Sequence, residues 1–120
     1  MRKEYKIDED YFGKEYMGKY VFQSISWAKS NEITSQCTAT NPLTRQTTVD
    51  LKRLQALTLD AVMIDRPKAI TLQKLMNEGE DGLPLSLGEL LMGMADKVNG
   101  YSKEDREQLK KLKLGWGLEG

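Results

Sequence analysis

The segment "LPLSLGELLMGMADKVNG", Leu83 to Gly100, constrains the fold more than any other part of the chain. Leu87, Leu90, Leu91, Met94 and Val98 recur at the three- and four-residue intervals that place side chains along one side of an α-helix. Ser86 stands three residues before Glu89, the spacing of a capping box, in which the two side chains satisfy backbone N–H groups orphaned at a helix start. Leu85 and Leu90 are placed as the hydrophobic staple that accompanies such a box, and Asn99-Gly100 is a helix stop. A chain carrying this stripe must supply a second apolar surface for it to lie on.

That surface is sought in "TTVDLKRLQALTLDAVMID". Leu51, Leu54, Leu57, Ala61 and Ile64 predict a helix from Val49 to about Ile64, opened by Thr47 and Asp50 and closed before Arg66-Pro67. Its broad apolar face predicts burial on more than one side. Ile70, Leu72, Leu75 and Met76 predict a shorter helix stopped by Gly79 and Gly82. Ser102 and Asp105 open a last helix, acidic in its first turn and basic in its last, with Leu109 and Leu112 as a thin stripe.

Upstream, Tyr20 to Ser26 alternates aromatic and β-branched residues with polar ones and suits a half-buried strand. Ser26 then caps a helix beginning at Trp27 and fading at Thr38. In that reading Trp27 is a packing hinge, and Trp27→Ala costs about 3 to 5 kcal/mol, as for a large core aromatic. Thr38 to Thr48, with Asn41-Pro42 at its centre, reads as a loop. Met1 to Lys19 reads as an arm or a short edge strand, broken by Gly13 and Gly18. The expected fold is mainly α, with α+β as the variant: four to five short helices and one or two short N-terminal strands. Its parts are an arm at residues 1–19, a helical domain at 20–114 and a flexible tail at 115–120.

Composition narrows the chemistry. With 120 residues the chain is one domain's worth, and its 18 basic and 18 acidic side chains cancel, giving no general field for a nucleic acid. Lys110, Lys111 and Lys113 complement the end of the last helix instead. No apolar run approaches the roughly 20 residues that cross a bilayer, and Met1-Arg2-Lys3 leads into charged residues rather than a signal core, so a cytoplasmic protein without a membrane partner is expected. Histidine is absent and Cys37 is single, which removes histidine-based triads, cysteine zinc sites and internal disulfides.

What remains is binding. Asp8, Glu9 and Asp10 fail as a calcium loop because Phe12 and Lys19 occupy ligand positions, so no metal or other cofactor is expected. Cys37 reads as a small buried thiol, and no catalytic residue is assigned. Leu91, Met92 and Met94, with Leu109, Leu112, Trp116 and Leu118, are the candidate partner-binding residues, because adaptable methionines and surplus leucines exceed what a narrow stripe needs. Ser26, Trp27, Cys37, Ser86 and Glu89 are the candidate structural residues. With 39% apolar content the chain has reason to share surface with further copies of itself.

Two blocks carry a family resemblance: Trp27, Lys29, Asn31, Ile33 and Thr38, then Leu83, Pro84, Gly88, Leu90, Leu91, Val98 and Asn99. Between about Tyr20 and Asn99 the order of parts resembles the small tail assembly chaperones of long-tailed bacteriophages and prophages. The tyrosine-rich N-terminus and the Gly-Trp-Gly tail depart from that pattern. The resemblance implies a helical, non-enzymatic homo-oligomer in the host cytoplasm that binds the tape-measure protein and recruits tail-tube subunits. A structural virion protein, such as a tail completion or baseplate component, would use the same surfaces permanently. A small enzyme with Glu32 or Asp60 as base is the third reading.

Overall fold

Alternating aromatic and charged residues build the first sheet. In the computed structural model, which describes residues 1–100, Arg2–Ile7 forms β1 and Gly18–Gln23 forms β2, paired antiparallel with Tyr5 opposite Tyr20. One face of that pair collects Tyr5, Ile7, Tyr20 and Phe22, and the Tyr5 and Phe22 rings meet edge to face at 5.7 Å. The lead-in is thus an edge strand, followed by a single turn, Lys14–Tyr16, that buries Tyr16. Gly13 and Gly18 flank this turn at φ of 123° and 134°, where a side chain would be strained.

The remaining elements are α1 (Trp27–Gln36), β3 (Thr38–Thr40), β4 (Thr47–Val49), α2 (Leu51–Val62), β5 (Met63–Asp65), α3 (Leu72–Met76) and α4 (Leu85–Val98). The strands make a three-stranded sheet in the order β1-β2-β5 and a separate β3-β4 hairpin. This corrects the mainly α expectation: 44% of the described residues are helical and 21% are in strands, so the fold is α+β. The strands beyond β2 were hidden for physical reasons. Each of β3, β4 and β5 has three residues, too few for alternation to register, and β5 follows α2 without a break.

Helix starts follow local hydrogen bonds. Ser26 Oγ accepts from the Lys29 amide at 3.1 Å and caps α1 as expected, and Asp50 Oδ1 accepts from the Arg53 amide at 3.1 Å to cap α2. Thr47, expected to open that helix, lies in β4. The capping box of α4 does not form. Pro84, at φ −55°, is already the residue before the helix, so Ser86 and Glu89 fall inside its first turns and both are exposed. The staple fails with it, since Leu85 is 80% exposed.

One apolar core joins sheet and helices. Leu87, Leu91, Ala95 and Val98 of α4 form a cluster with Tyr20 and Phe22 of β2, Leu59 and Val62 of α2, and Met63 of β5. Asn99 ends α4, and its Oδ1 accepts from the Ile25 amide at 3.1 Å, fastening the helix to the chain leaving β2. A second cluster holds Ile33, Cys37 and Leu54. Trp27 belongs to neither and is 83% exposed, which corrects its reading as a packing hinge. At 100° per residue it sits about 120° around α1 from Ile33, off the buried face.

Urea unfolding should separate these aromatics. Phe22→Ala is expected to lose about 3 to 5 kcal/mol, while Trp27→Ala should change stability by less than about 0.5 kcal/mol. A large loss at Trp27 would overturn its assignment to the surface.

Candidate functional site

A cleft of about 540 Å³ lies between α2 and the start of α4, lined among others by Ala56, Leu59, Leu75, Leu83, Leu85 and Met92. The geometry follows from how α4 is held. Its buried stripe is turned toward β2, so the neighbouring positions Leu85, Gly88, Glu89 and Met92 become a wall facing α2. Gly88 keeps that wall low: an added Cβ would meet only Leu83 Cδ2, at an ordinary 3.8 Å.

Polar groups line the cleft beside the apolar ones. Lys52 and Gln55 come from α2 and Glu89 from α4. Lys52 Nζ pairs with Glu78 at 3.1 Å, linking α2 to the chain after α3, though both side chains are exposed and such a pair contributes little stability. An amine, an amide and a carboxylate above leucine and methionine suit an apolar side-chain stripe with polar flanks.

The expected binding residues divide. Met92 lines the cleft, and Met94 is half-buried against the core. Leu91 is 0% exposed and belongs to the core, a correction to its reading as a partner contact. It faces inward because it lies one helical turn after Leu87. Leu109, Leu112, Trp116 and Leu118 lie outside the described residues. Of the structural set, Ser26 caps α1, Cys37 is buried beside Ile33 and Leu54, and Glu89 serves the cleft rather than a cap. Lys52, Gln55, Ala56, Leu59 and Leu75 had not been singled out as a binding surface. The broad face of α2 and a glycine inside a leucine-rich helix were the signals that could have found them.

The carboxylates weighed as bases are committed elsewhere. Asp60 pairs with Arg66 at 2.5 Å, and Glu32 pairs with Lys29 at 3.5 Å while accepting from Gln36. No group of three or more potential metal ligands occurs among the described residues. Within the acidic N-terminal cluster, a hydrogen bond to Glu9 pushes the Tyr11 phenol upward, with desolvation and the Asp8 charge adding to it. Burial pushes the Tyr20 phenol up to about 12, with Tyr16 adding to the shift. Tyr20 is a neutral donor, its hydroxyl given to the Tyr16 carbonyl at 2.6 Å. No protein-family model, curated protein or solved structure matches this chain.

Two measurements probe this region. Because the Tyr20 phenol titrates higher folded than unfolded, its contribution is complete below about pH 10 and is lost as pH rises toward 12. Stability should fall over that window by roughly 2 to 3 kcal/mol more than in Tyr20→Phe, and equal slopes would contradict the assignment. Gly88→Ala should raise stability by about 0.5 to 1 kcal/mol, since it improves helix propensity without a clash; destabilisation would mean that the cleft wall is closed.

Proposed function

We propose that this protein is a tail assembly chaperone of a long-tailed phage or prophage, and that the cleft between α2 and α4 holds apolar stripes of the tape-measure protein. The observation that carries the reading is a coincidence of positions. Leu83, Pro84 and Gly88, three residues of the block that resembles these chaperones, all line the cleft.

The physical case is one of shape and exposure. A long helical partner awaiting assembly exposes leucine-rich faces that aggregate unless covered. A cleft with mixed polar and apolar lining covers a few such side chains at a time and releases them readily, because little area is buried at each contact. Adaptable Met92 in the wall lets the groove accept varied side chains. In this role the protein works in the host cytoplasm, associates with further copies of itself and delivers tail-tube subunits to the growing tail.

Coexpression with the tape-measure protein encoded beside it tests the role. The partner should stay soluble and copurify, and Gly88→Leu, which fills the cleft from an open position, should reduce recovery at least tenfold with the circular dichroism spectrum unchanged. Failure of the wild-type chain both to solubilise and to copurify would sink the proposal. Recovery of the chain in stoichiometric amounts from finished particles would replace it with a structural virion role.

A further inference from the structure

We propose that β4 is a self-association seam, pairing antiparallel with β4 of a second copy of this chain about a two-fold axis at Thr48. Within the β3-β4 hairpin, Thr38 lies opposite Val49, Ala39 opposite Thr48 and Thr40 opposite Thr47. The Asn41 amide donates to the Gln46 carbonyl and the Asp50 amide to the Cys37 carbonyl, both at 2.8 Å. Because bonded and non-bonded pairs alternate in an antiparallel ladder, Ala39 and Thr48 exchange bonds with each other. Thr47 and Val49 therefore turn their N–H and C=O groups outward, away from β3.

The sequence leaves this edge unguarded. Edge strands are ordinarily protected by charge, and β1 follows that rule with Arg2, Lys3, Glu4 and Lys6. β5 carries Asp65, paired with Lys19 at 3.8 Å, and runs into Arg66-Pro67. Thr47, Thr48 and Val49 are uncharged and all β-branched, the residue type that packs best across strands. The β3 edge is less open. Cys37 at its start is 5% exposed, and the Thr38 hydroxyl is bent back to the Thr34 carbonyl at 2.6 Å.

A second copy satisfies the outward groups. With Thr48 on the axis, Thr47 of each copy exchanges backbone bonds with Val49 of the other, and the two Thr48 residues form the close, non-bonded pair. The same register sets Gln46 beside Asp50 of the second copy and brings Arg45 within side-chain reach of that carboxylate. The Arg45 guanidinium makes no ion pair among the described residues, and its backbone holds a φ of 58°, uncommon outside glycine and asparagine. Leu43, 93% exposed at the hairpin tip, then runs beside the first turn of α2 in the second copy. So short a seam buries far less than the roughly 800 Å² per partner of a standard interface, so association is reversible and concentration-dependent.

This inference rests on the self-association named above but not on the chaperone role, because its test needs no tape-measure protein. Thr48→Cys places two thiols across the axis at a Cα separation of about 4.5 Å, within disulfide range. Mild oxidation of the full chain should give a disulfide-linked dimer at least tenfold more abundant than wild type, in which Cys37 is buried. Thr48→Lys opposes two ammonium groups and should weaken self-association at least tenfold in sedimentation velocity, with an unchanged circular dichroism spectrum. Cross-linking no greater than wild type, or sedimentation of Thr48→Lys identical to wild type, would overturn the seam.

Discussion

The structure depends on a strand that is buried on both faces. Tyr20, Val21 and Phe22 are each 2% exposed or less, and β2, which they form, is the middle of its sheet. Burying such side chains is worth about 1.5 to 3 kcal/mol apiece, and each also fixes a neighbour. Phe22 meets Tyr5 of β1, Tyr20 donates to the turn that precedes it, and both support the inner stripe of α4. The Ile25–Asn99 hydrogen bond then fastens the far end of that helix.

The cleft follows from that fixation. A helix committed to β2 through Leu87, Leu91, Ala95 and Val98 cannot also turn its adjacent face inward, so Leu85, Gly88, Glu89 and Met92 remain available. Leu59 belongs to both the core cluster and the cleft lining, and Met92 packs against that cluster as well, whereas Leu85, Gly88 and Glu89 belong to the cleft alone. Changes at Gly88 or Glu89 can therefore alter the surface without loosening the sheet, which separates the binding reading from stability. The β3-β4 hairpin belongs to neither feature and leans on the smaller cluster through Val49.

Much of this order is legible in the chain. Most of the apolar spacing of α2 and α4, the Ser26 cap, the Asn99-Gly100 stop and the aromatic strand follow from local rules that the structure obeys, whereas Ile64 falls in β5 and Leu90 is exposed. The failures have separate causes, some local and some tertiary. Ser86 and Glu89 have capping-box spacing, but Pro84 starts the helix two residues earlier. Trp27 is large and apolar, yet its angular position on α1 faces water. Leu91 reads as surplus apolar surface, yet it belongs to the core cluster with Tyr20 and Phe22 of β2. The cleft was the least legible part, because it is assembled from α2, α3 and α4, whose relative placement no single segment encodes.

In the proposed chaperone role the cleft, and not the buried stripe or the hairpin, receives the partner. Hydrogen exchange on the full chain, with and without a leucine-rich helical peptide of the proposed tape-measure partner, tests it most directly. Slower exchange on binding is expected in residues 52–59 and 83–92, with residues 38–49 unchanged. Protection confined to α1 or the hairpin, with residues 83–92 unaffected, would contradict it.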